Sequence, residues 1–134
     1  MWKEVGQILA HALQKGDNLY ISVGSFYMIT YLTERYLKAD QTLTKEERIA
    51  KLRLILNSIL GTFKLANQSA KSMSDGINDE LFDDLEDSYQ AHVAEGMLCD
   101  VLLTINDKHF ARYAVNSSIQ VMNPRTFLET YLGD

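Results

Sequence analysis

The sequence predicts an α/β domain of three layers, with helices on both faces of a mainly parallel sheet. Three observations carry that reading. Short runs of strand character alternate with helical segments along the chain. One run, Leu98 to Ile105, is almost wholly apolar, the pattern of a strand covered on both faces. The chain has 134 residues, 46% of them hydrophobic. That is enough to bury roughly two-thirds of the unfolded surface in one core. No repeat or linker interrupts it, so residues 1–134 read as a single domain.

Each element has its own signal. Trp2, Val5, Ile8, Leu9 and Leu13 recur at helical spacing, and Gly16-Asp17 ends that helix. Leu19 to Val23 reads as a strand. Gly24 and Ser25 open a second helix carrying Phe26, Ile29, Leu32, Tyr36 and Leu37. After a polar loop, Thr44 and Glu47 have the spacing of a capping box. The helix they start buries Ile49, Leu52, Ile55, Leu56 and Ile59, with Gly61 as its C-cap. Thr62 to Ala66 can form a strand, and Asn67 can cap a short helix ending near Gly76. Phe82, Leu85, Tyr89 and Val93 mark the next helix, closed by Gly96. The apolar run Leu98 to Ile105 comes next, then a turn and a short helix around His109 to Tyr113. Ser118 to Met122 is the last strand. Asn123 caps the final helix, with Pro124 at its first position.

Composition excludes several classes. The lone Cys99 cannot form an internal disulfide and fits a reducing compartment, so a cytoplasmic location is expected. No apolar run approaches the roughly 18 residues of a membrane span, so no membrane partner is expected. The net charge of −5 argues against bulk capture of nucleic acid. That charge is local. Seven acids between Asp75 and Asp87 carry −7, so the remaining residues sum to +2.

Chemistry is expected where an open parallel sheet places it, at the carboxyl ends of strands. Thr104, Ile105, Asn106 and Asp107 lie there, and Glu86 and Asp87 sit early in the preceding helix. Carboxylate and amide oxygens so grouped suit a hard divalent cation, Mg²⁺ or Mn²⁺. Such an ion activates water and clamps a phosphodiester. The plainer reading is that these acids complement a helix dipole on a solvated face. His11 and His92 have no partner at metal spacing. Cys99 reads as a small hydrophobe in a strand. Ser22, Gly24 and Ser25 fit either a phosphate-binding helix start or a simple strand-to-helix turn. Tyr27 and Tyr31 fit either the core or a contact with another subunit.

The segment Leu85-Glu86-Asp87-Ser88-Tyr89-Gln90, with Asp100 to Phe110 after it, resembles the C-terminal half of PIN domains. That family commonly reads E-D-A-x-Q, an apolar strand, then T-R-N-x-x-D-F. Ile119 to Leu128 is similar to the family's last strand and helix, and Leu19 to Ser22 with Tyr31-Leu32 to an earlier strand and helix. The resemblance implies an α/β/α fold and a Mg²⁺- or Mn²⁺-dependent ribonuclease acting on RNA. It also implies a possible antitoxin protein as partner and a homodimer.

Carried over, Asp87 matches the helix-borne acid, Glu86 its neighbour and Asn106 the polar strand-end residue. Asp107 adds a carboxylate. His109 stands where Asp is frequent, which weakens that ligand, and a capping or surface role fits it at least as well; the acid of an earlier helix falls near Met28, which cannot bind a hard cation. The family's first strand ends in D-T-N, and Met1 to Lys15 matches the helix after it. That strand and its Asp are missing here, so the resemblance implies a start downstream of the family's or a degenerate member. Activity is therefore expected to be weak or absent. The alternative is a non-catalytic PIN-like interaction module. Without a first strand, Leu19 to Val23 and Leu98 to Ile105 are expected to close up and pair directly.

Overall fold

The computed structural model describes residues 2–131. The chain is mixed α/β, mostly helical, with short parallel strands in two separate two-stranded sheets. It forms two compact units. One is Asn18–Asn67; the other combines the residues up to Asp17 with those from Gln68 onward.

The unit Asn18–Asn67 is a parallel crossover. Strand β1 (Tyr20–Ser22) leads into α2 (Val23–Lys38), then α3 (Lys45–Thr62), then β2 (Lys64–Ala66). β1 and β2 pair with Tyr20 opposite Lys64, Ile21 opposite Leu65 and Ser22 opposite Ala66. The strand is shorter than its apolar pattern because Ser22 turns the chain. Its side chain accepts from the Ser25 amide at 3.0 Å, so the helix opens at Val23, ahead of Gly24. The capping box forms as expected: the Glu47 amide donates to Thr44 Oγ1, and the Thr44 amide donates to Glu47 Oε1. Gly61 does not cap α3. The helix runs one residue past it, and Phe63 turns extended to enter β2. The stripe Ile49, Leu52, Leu56 and Ile59 is only half-buried, and Ile55 is exposed.

The other unit contains α1 (Trp2–Lys15), α4 (Ala70–Ile77), α5 (Leu85–Gly96), β3 (Val101–Leu103), a 3₁₀ turn (Asp107–Phe110), α6 (Ala111–Ala114), β4 (Gln120–Met122) and α7 (Pro124–Tyr131). Helix α1 buries Ile8 and Ala12 and packs on α7; the side chain of Trp2 lies outside the described residues. Gly16, at φ 73°, ends α1, and the Asp17 amide returns to the Ala12 carbonyl. Ser69, not Asn67, caps α4, because Ser69 and Ser72 close a reciprocal pair of bonds. Helices α4 and α5 pack closely at Gly76. A Cβ there would sit 2.7 Å from the Tyr89 ring, and the Ser88 hydroxyl donates to the Gly76 carbonyl at 2.7 Å. The core beside them is Phe82, Ala91, Phe110 and Tyr113, with Leu102 and Val121 packed against it.

The long strand expected over Leu98 to Ile105 shrinks to Val101–Leu103. Leu98 belongs to the end of α5. It adopts φ 56°, its amide returns to the Glu95 carbonyl, and the Cys99 amide returns to Ala94. That is a glycine-type helix stop built on leucine, and Leu98 is 87% exposed. A Cβ in this backbone region costs about 1–2 kcal/mol. Leu98→Gly is therefore expected to stabilise the fold by about 1 kcal/mol, read as a higher urea midpoint with unchanged m. An unchanged or lower midpoint would show that no strain is stored there.

Direct pairing of β1 with β3 is also corrected. β3 pairs with β4, with Val101 opposite Gln120 and Leu103 opposite Met122, while β1 pairs with β2. Each strand finds its partner inside its own unit. The strands therefore form two separate pairs.

Candidate metal centre

The site lies where β3 ends and α5 begins, within one unit. Beyond Leu103, backbone bonds step the chain into the 3₁₀ turn. The Thr104 amide donates to the Met122 carbonyl, the Asn106 amide to Thr104 Oγ1, and the His109 amide to the Asn106 carbonyl at 2.8 Å. This carries His109 out of the strand end and drives Phe110, 1% exposed, into the core.

Helix α5 supplies the acids. Asp84 is its N-cap, and its Oδ1 accepts from the Glu86 amide at 2.9 Å and the Asp87 amide at 3.3 Å. The helix then buries Asp87, Ser88, Ala91 and Ala94, so Asp87 stands on its inward face and is 8% exposed. Its Oδ2 accepts from His109 Nδ1 at 3.2 Å. The histidine side chain is 59% exposed. Asp84, Asp87 and His109 each offer one donor atom, all within 4.8 Å of one another. Two carboxylates and an imidazole are a competent donor set for a divalent ion. The hard oxygens fit Mg²⁺ or Mn²⁺, and the imidazole shifts preference toward Mn²⁺.

The other expected site residues fall differently. Glu86 is one position round the helix from Asp87 and is exposed. Asn106 is exposed and makes no side-chain cap. It serves the cluster through its carbonyl, which holds the His109 amide. Asp107 accepts from the Asn123 side chain at 3.3 Å. Asp84 is the donor that sequence reasoning missed. Its signal was an Asp two residues before Glu86, which also reads as an ordinary cap.

A second polar group lies on the same helix. His92 Nε2 donates to Asp79 Oδ2 at 2.8 Å, and His92 Nδ1 lies 3.4 Å from Glu95 Oε2. The Tyr113 hydroxyl donates to Glu95 Oε1. Burial pushes the Tyr113 hydroxyl well above the ordinary tyrosine range, and its bond to Glu95 adds to the rise. The folded protein thus keeps a proton that the unfolded chain loses near pH 10. Stability is expected to be fully present below pH 10 and to fall as pH rises beyond it. Tyr113→Phe should flatten that fall in denaturant titrations. A wild-type slope retained by the variant would assign the loss to other groups. Cys99 lies outside β3 and is half-buried, and burial with the neighbouring Asp100 raises its thiol pKa. This is the setting of an unreactive thiol.

No family model, curated protein or solved structure matches the chain. No helix of the described residues is long and apolar enough to cross a membrane.

Proposed function

We propose that the chain is a PIN-like ribonuclease that uses a divalent metal at Asp84, Asp87 and His109. One observation carries the reading. Asp87, which the resemblance matches to a helix-borne acid, and His109, which stands where the family often has Asp, meet at 3.2 Å across 22 residues. The three-layer α/β/α arrangement, RNA as substrate, the cytoplasmic location and an antitoxin-type partner belong to this proposal and rest on the resemblance. Asp87 provides the fixed carboxylate, because burial and the His109 bond restrict it. Asp84 provides the outer carboxylate, with Oδ1 committed to backbone amides. His109, its ring set beside Asp87 by the Nδ1 contact, would offer the ion its unprotonated nitrogen. When bound, the ion supplies water activation near neutral pH and charge neutralisation at the phosphate.

With two carboxylates and a histidine, affinity should be modest and activity low, and Mn²⁺ should support it better than Mg²⁺. The test is cleavage of a labelled single-stranded RNA with Mn²⁺, with Mg²⁺ and with chelator. Cleavage with Mn²⁺ that stops with chelator is expected. Equal cleavage in chelator would sink the metal reading.

A second reading has its own observation. Helix α2 turns Phe26, Ile29 and Leu37 inward, while Tyr27, Met28, Tyr31 and Leu32 stay exposed beside Arg35, which lies 5.7 Å over the Tyr31 ring. Tyr, Met and Arg are the residues enriched at protein interfaces. This face favours a PIN-like interaction module, with a second copy or a partner protein covering it. Sedimentation of the wild type against a Tyr27→Ser, Tyr31→Ser double variant reads self-association directly.

A further inference from the structure

We infer that His92, through Asp79, is a positioning residue for the carboxylate of Asp84, so that the candidate metal centre depends on a pair that offers it no ligand. The inference rests on the metal reading above. It starts from the acidic loop between α4 and α5, which ends on Asp84.

A loop with Asp79, Glu80, Asp83 and Asp84 repels itself and has no lysine or arginine of its own. It is nevertheless pinned from outside at three points. Asp79 turns the chain by accepting the Leu81 amide at 3.0 Å on Oδ1, and its Oδ2 takes the His92 bond at 2.8 Å. The Glu80 carbonyl accepts from Arg112 Nη2 at 3.1 Å. Phe82 meets Phe110 edge-on and packs at a tilt against Tyr113, with ring centroids 5.3 and 5.2 Å away.

Of these, the Asp79–His92 pair is the one that ties the loop to α5, the helix that Asp84 caps and that carries Asp87. Both side chains are 13% exposed, so their bond is screened less than a surface pair. It ties the start of the loop to the third turn of α5, while Asp84 ties the loop's end to the first turn of the same helix. His92 is itself backed by Glu95, which holds Tyr113. The loop is thus closed as a ring on one helix, and the Asp84 carbonyl is fixed by the Ser88 amide at 3.1 Å. Breaking the bond at His92 frees one end of the ring and lets Asp84 move off Asp87 and His109.

The test compares wild type, His92→Ala and His92→Gln, because glutamine can still donate to Asp79. One readout is Mn²⁺ uptake. The other is amide exchange of Asp87 and Ser88, both bonded to Asp84, and needs no metal. His92→Ala is expected to weaken Mn²⁺ uptake about 10-fold or more, the size found for groups behind a ligand. It should also speed exchange at Asp87 and Ser88 more than at Val93 and Ala94, and His92→Gln should restore much of both. Asp79→Asn, which keeps the Leu81 turn, replaces His92→Ala if that variant fails to fold. Uniform exchange across α5, or unchanged Mn²⁺ uptake, overturns the inference. A wild type that takes up no Mn²⁺ overturns the metal reading and this inference's ligand role for Asp84. The exchange pattern then still decides whether His92 positions the loop.

Discussion

Asp87→Ala is expected to lower metal-dependent RNA cleavage by about 100-fold or more while leaving the protein folded. The carboxylate is the one site acid held on the inward face of α5, so its geometry is set before any ion arrives. Alanine removes both the charge and the acceptor that aligns His109. The fold loses little by comparison. His109 is mostly exposed and can turn to water, so no buried donor is stranded. Asp87→Asn separates the two roles, since an amide oxygen still accepts from Nδ1 but carries no charge. It should be nearly as inactive as Asp87→Ala. Circular dichroism and the urea midpoint check that the fold is kept. Cleavage that survives Asp87→Ala would place the chemistry elsewhere.

Phe110→Ala is expected to cost about 3–5 kcal/mol, a large share of the roughly 5–15 kcal/mol that holds a typical domain folded. The ring is almost wholly buried between Phe82, Ala91 and Tyr113, and it meets Phe82 edge-on. Its loss leaves a cavity whose neighbours are themselves packed on short strands and turns. The effect reaches the site, because Phe110 is the inward residue of the turn that presents His109. Phe110→Leu, which fills more of the space, should retain more stability. A shift in midpoint below about 1 kcal/mol for Phe110→Ala would mean that this cluster is not the core of its unit.

Local chemistry was the most legible part of the sequence. The Thr44–Glu47 box, the Gly16 stop and the Asn123 start, whose Oδ1 accepts from the Thr126 amide, each rest on contacts within a few residues. Pattern reading failed where distant partners decide. The apolar run at Leu98 looked like one strand, yet its first residues complete a helix stop, and β3 keeps only the stretch that β4 can pair. Nothing in the composition of Leu19 to Val23 distinguishes Lys64–Ala66 from Val101–Leu103 as its partner, and the pairing is set by the α2–α3 crossover. At the site, Asp87 was singled out from the sequence, whereas His109 read at least as well as a capping or surface residue, and its contact with Asp87 comes from the fold. Asp84 was not singled out, since an N-cap and a metal ligand look alike in sequence. Glu86 is exposed while Asp87 is buried, because one helical step separates an inward from an outward carboxylate.

The central claim is that Asp84, Asp87 and His109 together hold one divalent ion. Electron paramagnetic resonance of Mn²⁺ titrated with the protein tests it most directly, because free Mn²⁺ gives a signal that binding removes. The account predicts uptake of one Mn²⁺ per chain, abolished by Asp87→Ala and weakened by His109→Ala and Asp84→Ala. No uptake by the wild type, or uptake indifferent to Asp87→Ala, would contradict it.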